Sequence, residues 1–384
     1  MEALEVQSAS GQRLQRLLGF IERDPKNLPL IADAASAAFD CGELETASAL
    51  IDRHAALTAL PPSMQNLRGL VALAGGDFTS AVAIFERLLA TGGADPALRF
   101  NLAWAKAMLE DYQAALDLLD EATAAALPAA AALKVQMMHH LGRLEDALTC
   151  GEILAEIHPD DTALMGALAT AAIDAENLDL AKHYASRAGS QPAGLAAMGM
   201  LILNDNDAHA AMEMFDEALA ARPDNARALL GKGLALMAEG KSGPAAGWLD
   251  KGAEIFGDHL GSWVAAGWAY FVQGDLAASR ARFDKAMALD DTFAETHGAL
   301  AVLDIAENQL ESARGRTEVA LRLDRKCFAG ALAKSLLLMG EGNEAAAERV
   351  RTIALNTPLG ESGKTIAQAM ASMGTAGRGG SAKN

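Results

Sequence analysis

Apolar and polar positions in this chain recur at two spacings. The short one, three to four residues, is that of an amphipathic helix. The long one is thirty-four residues: Gly199, Gly233, Gly267 and Ala301 are that far apart. In the same frame stand Ala211, Ala245, Ser279 and Ala313, then Phe215, Leu249, Phe283 and Thr317, then Ala218, Gly252, Ala286 and Ala320. Small residues at fixed offsets let two helices approach closely, and large ones fill the space between them. The repeating element this predicts is a pair of antiparallel helices, and such a pair buries its open faces only by stacking on its neighbours.

The frame extends to ten repeats, starting at Leu28, Pro62, Pro96, Pro128, Thr162, Pro192, Ala226, Leu260, Ala294 and Phe328. Gly42, Gly76, Glu110, Gly142, Gly240, Gly274 and Gly342 separate the paired helices, where glycine suits a left-handed helix end. Pro61, Pro96, Pro128, Pro159, Pro192, Pro223 and Pro358 fall where one repeat gives way to the next, stopping a helix or opening one. Two steps are short, by two residues into Pro128 and by four into Pro192. The expected organisation is an N-terminal cap over 1–27 with an amphipathic helix from Gln12 to Arg23, and repeats over 28–361. A closing helix over 362–373 and a disordered tail over 374–384 follow. Few aromatics and only 11 Pro agree with an all-α class.

This pattern resembles the tetratricopeptide repeat family, whose unit carries Trp, Leu-Gly, Tyr, Ala, Phe, Ala and Pro at fixed offsets. In the repeat from Leu260, Trp263, Gly267, Tyr270, Gly274, Leu276, Phe283 and Ala286 stand in family positions, while Ala266, Ser279 and Asp291 depart from it. The resemblance implies a right-handed superhelical solenoid of about ten antiparallel helix pairs. It also implies a non-enzymatic scaffold or adaptor that holds a partner polypeptide in an apolar concave groove. In this family the second, fifth, ninth and twelfth positions of each first helix line that groove. Carried over by register, they give Phe100 and Trp104; His139; Met200 and Leu203; Leu230, Leu234 and Met237; Val264, Trp268 and Phe271; Val302 and Ile305; Leu336 and Met339. Few charges interrupt this strip, and Trp, Phe and Met offer large, adaptable contact area to a protein or peptide with an apolar segment. The Lys and Asn set with which some members grip a terminal carboxylate is missing.

Charge and motifs narrow the field. A net charge of −18 repels phosphate backbones and anionic headgroups, so no nucleic acid partner is expected. Cys41, Cys150 and Cys327 form no C-x-x-C pair and the histidines lack ligand spacing, so neither metal nor cofactor is expected. Glu2 and Glu5 stand where a secretory leader carries basic residues, and Ala122 to Val135 is broken by Pro128. A cytoplasmic protein without a membrane segment is the expectation. Pro358 to Thr365 is similar to a phosphate-binding loop but has Pro358 in place of the first glycine. The bland reading there is a helix start capped near Ser362 or Gly363. Two alternatives share the groove: a chaperone for secreted or assembling proteins, and self-assembly through a Leu14, Leu17, Leu18 and Ile21 face.

Overall fold

The computed structural model describes residues 2–92 and 95–356, together with 358–359 and 364–365. After α1 (Glu2–Arg23) come α2 (Leu28–Asp40) paired with α3 (Leu44–Leu57), α4 (Pro62–Ala74) with α5 (Phe78–Gly92), and α6 (Pro96–Ala107) with α7 (Tyr112–Leu118) and α8 (Glu121–Ala126). Next are α9 (Pro128–His140) with α10 (Leu144–Ile157), α11 (Thr162–Asp174) with α12 (Leu178–Ala188), and α13 (Pro192–Asn204) with α14 (Ala208–Ala221). Then follow α15 (Ala226–Ala238) with α16 (Ser242–Phe256), α17 (Leu260–Gln273) with α18 (Leu276–Leu289), α19 (Ala294–Ala306) with α20 (Leu310–Leu323), and α21 (Phe328–Gly340) with α22 (Glu344–Leu355). The first helix of every pair begins at the residue the glycine frame marks. The chain divides into two compact bodies, Met1–Leu164 and Met165–Asn384.

Each turn between paired helices contains one left-handed residue. Six of the ten are glycines, Gly42, Gly76, Gly142, Gly240, Gly274 and Gly342, and the others are Glu110, Glu176, Asn206 and Asn308. The next residue caps the second helix: Asp77, Asp111, Asn177, Asp207, Asp275 and Asn343 each accept the backbone N–H three residues on, as Asp275 does from Ala278 at 2.9 Å. At these six turns a left-handed residue followed by Asp or Asn reverses the chain; at the other four Glu43, Arg143, Lys241 or Gln309 follows without a side-chain cap, and the left-handed residue alone is shared.

Paired helices close through complementary volumes. A Cβ added at Gly69, Gly199 or Gly267 would come within 2.5, 2.5 and 2.3 Å of the Phe85, Phe215 and Phe283 rings, and one at Gly233 within 2.5 Å of Leu249. Those rings are fully buried, so each glycine is the recess its own repeat's large side chain fills. By the same register, Ala301 and Thr317 hold these two positions in the ninth repeat, and Val135 and Gly151 hold them in the fourth, with the large side chain on the opposite helix.

Three departures from the sequence reading have physical causes. In the third repeat the second helix is divided at Leu119–Asp120, because Asp120 accepts from the Thr123 N–H at 2.8 Å and starts a new helix. The short step into Pro128 lies there. The other short step is taken up by α12, which has 11 residues. The Leu14, Leu17, Leu18 and Ile21 face does not stand open to another molecule. It packs on Ile31, Ala34, Ala38 and Leu50 of its own first repeat, with Leu14 and Ile21 buried and Leu17 and Leu18 half-buried, which takes this apolar surface out of water. Finally, Pro358 and Leu359 (β1) pair antiparallel with Thr365 and Lys364 (β2), so no helix starts at Lys364. The rest of the expected closing helix and the tail lie outside the described residues.

Candidate partner-binding face

In the carboxy-terminal body the register-derived residues separate into three groups. Leu230, Val264 and Val302 are buried and serve the core. That corrects their assignment as contact residues: the neighbouring first helices cover them. Met200, Leu203, Leu234, Met237, Trp268, Phe271, Ile305 and Leu336 are half-buried, each resting one side on the core. Met339 is exposed, at 52%.

Two patches result. Leu203, Leu234 and Met237 line one cavity of about 1010 Å³ across α13 and α15, with Asp207, His209, Glu239 and Lys241 at its polar edge. The Lys241 ammonium donates to Glu239 at 2.8 Å, so part of that edge is internally neutralised. Trp268, Phe271, Ile305 and Leu336 gather on Ala301, Val302 and Ala333 across α17, α19 and α21. The Trp268 ring stands edge-on to both Phe271 and Phe283, each at 5.5 Å between centroids, which leaves it half-buried between repeats. Trp268 therefore anchors neighbouring repeats to each other as well as facing outward.

In the amino-terminal body Trp104 is 44% exposed and meets Phe100 edge-on at 5.8 Å. Met108 and Leu109, just beyond the end of α6, are exposed beside it and were not singled out from the sequence. His139 is half-buried and lies edge-on to His140, which stacks on Tyr112 at 4.6 Å.

Charged side chains that the spacing did not reveal hold the repeats in place. The Asp304 side chain, 1% exposed, accepts from Arg280 at 2.6 Å, Arg316 at 3.1 Å and the Ser312 hydroxyl at 2.5 Å. Glu307 also accepts from Arg280, at 2.7 Å, and that hydrogen bond is the largest influence raising the Arg280 pKa. Asp250 similarly accepts from Tyr270 at 2.7 Å and Arg282 at 2.6 Å, linking α16, α17 and α18. Glu295 accepts from the Phe328 and Ala329 N–H groups at 2.7 and 3.1 Å, so a carboxylate of one repeat caps the first helix of the next. The signal was present only as scattered Asp, Glu and Arg that a solvated surface would also show.

Among the described residues no group of histidine, cysteine and carboxylate has metal-site geometry. Lys364 and Thr365 are extended rather than at a helix N-terminus, which removes the phosphate-loop reading. No helix among the described residues is long and apolar enough to cross a membrane.

The tetratricopeptide repeat profile matches residues 32–99, 66–131 and 196–259. Residues 32–131 and 196–259 are therefore tetratricopeptide repeats, and the helix pairs outside them keep the same frame. Among solved structures, the IFIT1 monomeric mutant with Gppp-AAAA is similar over 90% of this chain and 94% of that one, at 13% identity and a TM-score of 0.53, which shows the shared fold. The Cut9–Hcn1 hetero-tetramer of APC/C aligns over 84% and 85%, at 14% identity and a TM-score of 0.43. MamA 41-end from Desulfovibrio magneticus RS-1 aligns over 43% of this chain and 96% of that one, at 20% identity and 0.37. No curated protein matches the chain.

Proposed function

We propose that the protein is a non-enzymatic scaffold that binds a partner polypeptide through apolar side chains of its first helices. One observation carries the reading: Leu203, Leu234 and Met237 converge on a single cavity of about 1010 Å³ with polar groups at its edge. That is the composition of a site that seats apolar side chains and fixes their direction with a few hydrogen bonds. Trp104, with Met108 and Leu109 beside it, supplies a second apolar anchor in the amino-terminal body. IFIT1 was solved with Gppp-AAAA, but a net charge of −18 opposes a polyanion here, and an apolar segment of a protein fits the lining better.

The test replaces Leu203 and Met237 by Asp together, with Ile255→Asp on the second helix α16 as control. Polypeptides that copurify with the parent are quantified by mass spectrometry. The double variant is expected to lose them by at least about tenfold, the effect of removing two apolar anchors, while the control retains them. Equal recovery from all three proteins contradicts the proposal.

A further inference from the structure

The last two repeats carry a basic cleft on a chain that is otherwise strongly acidic. Its walls are α20 and α22 and its floor is α21. Two hollows of about 500 and 260 Å³ share Leu321, Arg325 and Lys334. Leu337 and Leu338 on the floor, with Leu321 and Val350 on the walls, make the lining apolar. Arg322, Arg325, Lys326 and Lys334 are all exposed, and among the described residues none of them enters an ion pair. Arg314, at the far end, is by contrast matched to Glu341 at 2.9 Å. The excess is local: residues 310–356 hold eight Lys and Arg against six Asp and Glu, whereas the whole chain holds 32 against 50.

The complementary surface is on α10. Ile153 and Ile157 are 60% and 47% exposed and lie one turn apart, so they share a stripe. Glu152, Glu156 and Asp160 stand exposed around them, and none of the three enters an ion pair among the described residues. One surface thus offers carboxylates without cations around two apolar side chains, and the other offers Arg322, Arg325, Lys326 and Lys334 around an apolar lining, where Glu341 is matched by Arg314 and Glu318 is the remaining carboxylate, so the cations stay in excess.

We propose that the cleft of α20–α22 docks the α10 face of a second copy of this chain, with Ile153 and Ile157 on the apolar floor and their carboxylates against Arg322, Arg325, Lys326 and Lys334. Placing an amphipathic helical face in a groove of opposite charge is an established recognition mode. The donated and receiving surfaces differ, so the contact is heterologous. Every copy keeps one of each, and association continues beyond two.

Charge exchange tests this. Sedimentation velocity of the full chain over a range of concentrations at low ionic strength is expected to show mass rising with concentration, and the rise to fade in high salt, where charges on a rim are screened. Arg325→Glu with Lys334→Glu in one protein, and Glu152→Lys with Glu156→Lys in another, should each weaken self-association by at least about tenfold, because like charges then face each other. Mixed in equal amounts the two variants should associate again, since every contact between unlike copies pairs opposite charges. All four residues are exposed and unpaired, so both variants should give the parent's circular dichroism spectrum and melt. A parent that stays monomeric throughout, association indifferent to salt, variants that associate as the parent does, or a mixture that stays apart would each overturn the proposal.

Discussion

Single residues in this molecule act through the space and the backbone geometry they leave to others. Gly298 is the sharpest case: a Cβ there would lie 2.3 Å from the Gly330 N, and backbone cannot step aside. Gly298→Ala should destabilise the fold by about 3 kcal/mol through overpacking. Gly247, inside α16 with nothing within 4 Å, should gain about 0.5–1 kcal/mol on replacement by Ala. Urea unfolding midpoints of the two variants should therefore move in opposite directions.

His259 acts through its proton. Its Nδ1 accepts from the Ser262 N–H at 3.2 Å and so caps α17, and burial pushes its pKa below the usual 6.5. The neutral ring is the folded form. Its contribution is present above pH 6.5 and is lost as pH falls through the lowered value, where the unfolded chain takes up the proton first. His259→Asn keeps a cap acceptor without a titrating group. Unfolding measured at pH 7.5 and pH 5 should show a smaller acid loss for the variant than for the parent; equal losses would remove this account of the cap.

At the scale of the helix pair, volumes at two facing positions are exchanged as a unit. Gly267 faces Phe283, and Ala301 and Thr317 hold the same two positions in the next repeat. Thr317→Phe alone should destabilise by about 1–3 kcal/mol, the cost of overpacking a filled site. Adding Ala301→Gly should recover most of that loss, because the pair then matches its neighbour. A double-mutant cycle by thermal melts reads the coupling, and additive effects would show that the two positions do not share one space.

This scale was the legible one, because the left-handed turn residue and the recess opposite a large side chain each restrict residue type directly. Gly42, Gly76 and the rest could be read for that reason, and Glu110 could be placed by spacing alone. The divided helix of the third repeat could not. It turns on Asp120 preferring its own cap to the helix it interrupts, and Asp within a helical stretch is equally compatible with an exposed face.

For the whole molecule, spacing identified which helix faces carry apolar residues but not which of those residues meet solvent. Val302 holds the same ninth position of its first helix as Leu234, yet it is buried while Leu234 lines the cavity; Leu230 and Val264, at the fifth position, are buried too, whereas Leu203 and Met237, at the twelfth, are not. The ionic pins at Asp304 and Asp250 escaped notice for a related reason: the arginines that tie them to another repeat, Arg280 and Arg282, are 24 and 32 residues distant. The central claim is that first-helix apolar side chains hold a polypeptide. Its most direct test is a photo-crosslinking residue placed singly at Leu203, Met237 or Trp104, and at Ile255 for comparison, with irradiation in the native cell. The account predicts discrete adducts to another polypeptide from the first three positions and none from Ile255. Adducts absent from the first three, or equally abundant at Ile255, would contradict it.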